Sequence, residues 1–169
     1  MLSFDEKKLL EKAKELILQR EFDESHALVE RVLAQNPKSI EALRLRGCNL
    51  GKPELVIRDL KYVIDNADSK LMADYFFIGK ALYICNYFDK AVWAFETALA
   101  QTELLDYEYY RSGIQSQLCL SYAYAGRVDE AQRLFDSLPE CAMFDADGAG
   151  WWDKPTIQQF LDELRSESR

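Results

Sequence analysis

The stretch CNYFDKAVWAFETALA (85–100) decides how this chain is read. Phe88, Ala91, Phe95, Ala98 and Leu99 fall on one stripe at helical spacing, just after a turn signal at Asn86. Upstream, in DYFFIGKALYIC (74–85), Tyr75, Ile78, Gly79 and Leu82 recur at i, i+3, i+4 and i+7. The segment therefore reads as two helices joined by a tight turn. Gly79 and Ala91 stand twelve residues apart, where small side chains let two backbones approach closely and aromatic residues fill the flanks.

The same pattern recurs in QREFDESHALVERVLAQNP (19–37) and AGRVDEAQRLFDSLPE (125–140). Each copy has a bulky apolar residue (Phe22, Phe88, Val128), then Asp, a charged residue and a small one (Ser25, Ala91, Ala131). Another small residue, Ala13, Gly79 or Cys119, lies twelve positions earlier each time. A degenerate copy pairs Gly47 with Val56, nine apart. A single hairpin cannot bury both of its faces, so such units must stack.

These residues, above all Gly79…Leu82-Tyr83…Asn86-Tyr87-Phe88-Asp89-Lys90-Ala91…Phe95…Ala98-Leu99, resemble the tetratricopeptide repeat. That family is built from helix-turn-helix units of about 34 residues. Asn36-Pro37 stands where the family commonly places a proline between repeats. The resemblance covers residues 6 to about 140 and implies an all-α, helical-hairpin solenoid of about four hairpins with a carboxyl-terminal capping helix. The expected hairpins are about 5–37, 39–67, 71–101 and 104–139, followed by a connector at 140–153 and a capping helix at about 154–167, all in one domain.

The second copy lacks three residues around Leu50-Gly51-Lys52, which predicts a short first helix over about 40–50. Pro53 then suits the first turn of the next helix, where a missing N–H costs nothing. From Gly79 to Cys119 is 40 residues, so the surplus in QTELLDYEYYRSG should lengthen both flanking helices. Glu103, Asp106 and Glu108 make that segment solvent-facing. Ser3-Phe4-Asp5-Glu6 reads as a capping box. In KPTIQQFLDELRSE, Ile157, Phe160, Leu161 and Leu164 form one stripe, as a cap over the last hairpin requires.

The resemblance implies a binder of a protein or peptide, with first helices lining a concave groove. Lys14, Arg44, Phe76, Lys80, Tyr83, Gln117 and Tyr124 are the candidate groove residues. Helix 74–85 is apolar on both sides, which fits burial by neighbouring helices, an apolar groove, or a self-association face. As a groove it would hold an apolar segment bearing a carboxylate, with Lys14, Arg44 and Lys80 as cationic points. The clamp by which some tetratricopeptide proteins hold chaperone tails is not expected: Leu10, Lys14, Leu45, Ala73 and Phe77 occupy its places, and only Lys14 is polar.

Charge narrows the partner. The chain carries 21 basic and 29 acidic residues for a net of −8. Residues 1–70 hold 13 of each, so the whole net lies in 71–169. Nucleic acid is not expected, because phosphate binding needs clustered Lys and Arg. A basic protein surface suits the acidic half. Two specific versions of an adaptor therefore compete, a toxin-neutralising immunity protein and a small acidic secretion chaperone. An acidic patch as the binding surface favours the first, and an apolar groove favours the second.

Other chemistry finds little footing. Cys48, Cys85, Cys119 and Cys141 show no CxxC pairing, and His26 is the single histidine, so neither zinc ligation nor nucleophilic catalysis is expected. No cofactor and no enzyme activity are predicted. FDADGAGWWDKP (144–155) hints at a calcium loop, but counting from Asp145 the fifth and twelfth positions are Ala149 and Thr156 rather than ligands, although Asp147 and Gly150 fit. The stretch reads instead as the join between the last hairpin and the cap, with at least one of Trp151 and Trp152 pinning the cap, whereas a fully exposed pair would point to a partner site there. No apolar run reaches the roughly 20 residues of a membrane span, and MLSFDEKKLLEK is too charged for a secretory signal, so residence in the cytoplasm is the expectation.

Overall fold

The computed structural model describes residues 3–49, 51–105, 108–146 and 150–167. Leu50, Asp106, Asp147 and Ala149, used in the readings above, lie outside these residues, as do the side chains of Glu103 and Glu108. The chain divides into two compact units, Met1–Ile78 and Gly79–Arg169.

Unit 1 contains α1 (Phe4–Leu18), α2 (Phe22–Gln35), α3 (Ile40–Asn49), α4 (Pro53–Asn66) and the start of α5 (Met72–Ile84). The capping box forms: Ser3 Oγ accepts from the Glu6 N–H at 3.1 Å, and Glu6 Oε2 accepts from the Ser3 N–H at 2.6 Å. That hydrogen bond from Ser3 holds the Glu6 carboxyl below its ordinary range. Where α1 crosses α2, Ser25 Oγ donates to the Ala13 carbonyl at 2.9 Å, so the twelve-residue spacing is a direct contact. Around that crossing Leu10, Ala13, Val29, Val32, Leu33, Ala42, Leu43 and Val63 make the core.

The second hairpin crosses just as closely. A Cβ at Gly47 would stand 2.7 Å from Leu60, so only glycine lets α3 meet α4 there. Helix α3 has 10 residues, and Pro53 opens α4. Arg46 and Asp59, 7% and 1% exposed, form a buried pair at 2.6 Å across this hairpin. Arg46 also reaches Glu30 on α2 at 2.6 Å. Burial alone would weaken the guanidinium's hold on its proton, but the bonds from Asp59 and Glu30 outweigh it and raise its pKa.

Unit 2 holds the rest of α5, then α6 (Phe88–Leu105), α7 (Glu108–Tyr124), α8 (Val128–Ser137), β1 (Phe144–Asp145), β2 (Trp151–Trp152) and α9 (Lys154–Glu167). Helices α6 and α7 run to 18 and 17 residues, which takes up the surplus between the third and fourth copies. A Cβ at Gly79 would meet the Phe95 ring at 2.9 Å, and Cys119 Sγ contacts the Ala131 carbonyl at 3.4 Å. Helix α8 packs against both α7 and α9. Ile157 and Leu161 of α9 are fully buried, and Asp153 caps that helix by accepting from the Thr156 N–H at 3.0 Å.

Three first helices end identically. Arg20, Asn86 and Gly126 take left-handed backbone, with φ of 64°, 61° and 76°. In each, the next residue's N–H bonds the carbonyl five back: Glu21 to Leu16, Tyr87 to Leu82, Arg127 to Tyr122. The left-handed residue itself bonds three back, to Ile17, Tyr83 and Ala123 respectively. This pair of bonds is the Schellman motif, which satisfies carbonyls left over at a helix end and reverses the chain. The short second copy lacks any non-glycine or glycine residue with such a φ among its described residues.

The described part of the connector contains a short ladder. Phe144 pairs with Trp152 and Asp145 with Trp151 in a two-residue antiparallel ladder. This ladder has no period that sequence could reveal, because each strand is only two residues long.

Candidate functional site

The seven candidate residues divide between the units: Lys14, Arg44 and Phe76 in the first, Lys80, Tyr83, Gln117 and Tyr124 in the second.

In unit 1, Lys14 and Arg44 line one open groove of about 630 Å³, with Asn36, Lys38, Ser39, Ile40, Glu41, Leu45 and Leu71. Repeat geometry places them there, since α1 and α3 are both first helices of hairpins and expose the side opposite their packing stripe. Lys14 Nζ bridges Glu41 at 2.6 Å and Glu11 at 2.9 Å, and these bonds, Glu41 first, raise its pKa. Arg44 is gripped harder. Its guanidinium donates twice to the fully buried Asp74, at 2.7 and 2.9 Å, and once to the Ser69 carbonyl at 2.8 Å. Asp74 also accepts from the Leu71 N–H at 2.9 Å, tying Arg44 to the first turn of α5. Both cations are thus fixed in place rather than free to swing. Lys38, which also lines the groove, is exposed, and among the described residues it has no ionic partner. Phe76 is half-buried and meets Phe77 edge-on at 5.3 Å.

Unit 2 presents a different picture. Lys80 Nζ bridges the Asp145 carboxylate at 2.9 Å, and Gln117 Nε2 donates to the Asp145 backbone carbonyl at 2.9 Å. Tyr83 is 6% exposed and packs edge-on against Tyr124 at 5.8 Å and Phe88 at 5.6 Å. Tyr124 in turn stacks on Phe88 at 5.1 Å and tilts against Phe160 of α9 at 5.1 Å. All four unit 2 candidates therefore touch one another or the chain's own carboxyl-terminal segment. Trp152 meets Phe160 edge-on at 5.6 Å, which pins the cap, whereas Trp151 is 67% exposed.

Sequence reasoning missed Phe144, Asp145, Lys38 and Trp152's partner Phe160 as members of these surfaces. Repeat register does identify Lys14 and Lys80 as equivalents, each one position after its small crossing residue. Nothing in the sequence could have linked Lys80 to Asp145 across 65 residues.

The remaining reactive groups stand apart. Burial pushes the Cys48 and Cys119 thiols up to about 12. Cys141 is exposed. His26 pairs with Glu30 at 3.1 Å at the outer end of the Arg46 ion-pair chain. Among the described residues no group of three metal-ligating side chains gathers, and no helix is long and apolar enough to cross a membrane.

Comparison with known structures adds the fold. Two crystal structures of MamA superpose with TM-scores of 0.63 and 0.59 at 20% and 21% identity, over 78% and 73% of this chain and 70% of each of theirs. A structure of MamA AMB-1 gives a TM-score of 0.62 at 24% identity, over 79% of this chain and 70% of that one. The fold is a tetratricopeptide-like helical-hairpin solenoid. No protein-family model matches the chain, and no curated protein does.

Proposed function

We propose that this chain is a tetratricopeptide-family adaptor without enzymatic activity, which captures a protein partner through the groove of unit 1. The observation that carries this reading is the groove itself: about 630 Å³, open, and lined by the apolar Ile40, Leu45 and Leu71 together with Lys14, Lys38 and Arg44. An apolar lining beside Lys38, a cation with no ionic partner among the described residues, suits an extended segment that carries apolar residues and a carboxylate. Such a surface is closer to the capture of a partly apolar client, as a secretion chaperone performs, than to the charge-driven grip of an immunity protein on a basic toxin.

Affinity capture from the native host tests it, using wild type beside a Lys38→Glu, Leu71→Ser double variant. Both side chains are exposed, so the variant keeps the fold. Loss of the captured protein by the variant, with an unchanged circular dichroism spectrum and melting curve, is the expected result. Undiminished capture would remove the groove from consideration. Capture that survives about 0.5 M salt supports the apolar mode, because exposed charge pairs are screened within about 5 Å at that strength.

A further inference from the structure

Unit 1 carries a second cavity, of about 530 Å³, lined from α3 and from the second helices α2 and α4. That volume lies in the range of small-molecule sites. The groove described above is lined from α1, α3 and Leu71, and Lys38 is the lining residue that the two share. Leu33, Ala34, Pro37 and Leu43 give the second cavity apolar walls. Its carboxylates are spent internally. Asp59, 1% exposed, accepts from Arg46 Nε at 2.6 Å on one oxygen and from Arg58 Nε at 3.0 Å on the other. Glu30 accepts from Arg46 Nη1 at 2.6 Å. The donors are not all spent. Arg46 is 7% exposed, yet its Nη2 donates to no group among the described residues. The sealed side-chain atom without a partner among those residues is Gln117 Oε1, so Arg46 Nη2 stays open to the cavity that its residue lines. The Tyr62 hydroxyl and the Lys38 ammonium, both in the lining, also lack a partner among the described residues. Lys38, Arg46 and Arg58 against Glu30 and Asp59 leave one unbalanced positive charge. A single carboxylate balances it and suits the planar guanidinium, whereas a doubly charged phosphate overshoots.

We propose that this cavity binds a small organic acid, a single carboxylate on an apolar body such as an aromatic ring. Arg46 Nη2, Lys38 and the Tyr62 hydroxyl take the carboxylate, and the apolar walls take the body. The site is separate from partner capture in the groove and stands or falls without it.

Titration of the full chain with 3-phenylpropanoate, followed by two-dimensional nuclear magnetic resonance, is the test. Saturable binding with a dissociation constant of about 5 mM or tighter is expected for a ligand of that size. The uncharged 3-phenylpropanamide should bind at least about tenfold more weakly, and so should acetate, which has the charge without the body. Tyr62→Phe removes one donor and should weaken binding about threefold or more, with the melting curve unchanged. Ala34→Trp puts a ring into the cavity from an exposed position of α2 and should abolish binding. Leu71→Ser, which lies in the groove alone, should leave it unchanged. Wild type that does not saturate by about 20 mM, acid and amide that bind equally, or undiminished binding by a folded Ala34→Trp variant would each overturn the proposal. So would loss of binding in Leu71→Ser, since the acid would then sit in the groove. A peptide ending in phenylalanine that binds more tightly than the free acid would overturn it as well, since the cavity would then serve the end of a protein. Should Ala34→Trp fail to fold, Tyr62→Phe and the amide decide, and full affinity in both would overturn the proposal.

Discussion

Asp59→Asn removes the carboxylate that neutralises Arg46 inside the second hairpin while keeping the side chain's shape. Arg46 is 7% exposed and Asp59 1%, and they meet at 2.6 Å. Taking away one partner of a buried pair leaves an uncompensated charge, which typically costs about 3–5 kcal/mol. Arg46 retains Glu30 at 2.6 Å, and the Glu30 side chain is 46% exposed, so water shares part of the burden. The lower end, about 3 kcal/mol, is therefore expected. For a chain of this size that corresponds to a fall in Tm of about 6–12 °C. Urea denaturation followed by far-ultraviolet circular dichroism measures it, with wild type, Asp59→Asn and an Arg46→Met, Asp59→Leu double variant side by side. The double variant should recover most of the loss, because two apolar side chains of similar volume need no partner. The loss should also persist at high salt, since a buried pair is poorly screened. A single-variant loss below about 1 kcal/mol, the range of a surface pair, would refute the reasoning.

Three further outcomes follow from local features. Arg20 holds a left-handed conformation with an exposed side chain, so Arg20→Gly should stabilise the chain by about 0.5–1 kcal/mol in the same urea assay, the strain relieved exceeding the extra freedom given to the unfolded chain. Glu30 works against burial, but its bond from Arg46 prevails and its pKa is lowered, so its stabilisation is complete above the unfolded value of about 4.3 and is lost as pH falls through the folded one. Stability measured from pH 6 down to pH 3 should accordingly fall less in Glu30→Gln than in wild type, and parallel curves would contradict this. Burial holds the Cys48 and Cys119 thiols at about 12, so a thiol reagent at pH 8 should label Cys141 promptly and those two far more slowly, Cys119 slowest, as mass spectrometry would show.

The repeat was legible because its signal is geometric. Two small residues twelve apart must touch if two helices cross at them, and Ser25 with Ala13 and Cys119 with Ala131 do. The capping box and the Asp153 cap were legible for a similar reason, since each depends on neighbours three residues away. The site was less so. Register placed Lys14, Arg44, Lys80 and Gln117 on the first helices, but it carries no information about what lies opposite them. Arg44 is claimed by Asp74, 30 residues away, and Lys80 by Asp145, 65 away. Tyr83 and Tyr124 were assigned to a groove by the same register, and they meet each other and the cap because aromatic rings close over the nearest apolar partner. Arg20 concealed the first helix stop, as arginine is not a residue that announces left-handed backbone.

The groove of unit 1 as a seat for a protein partner is tested most directly by placing a photo-crosslinking residue at position 71, in the groove lining, or at position 31, an exposed place on α2 outside it. Irradiation in the native host followed by mass spectrometry should yield one dominant protein adduct from position 71 and none from position 31. An adduct of equal or greater yield from position 31, with position 71 silent, would contradict the proposed use of the groove.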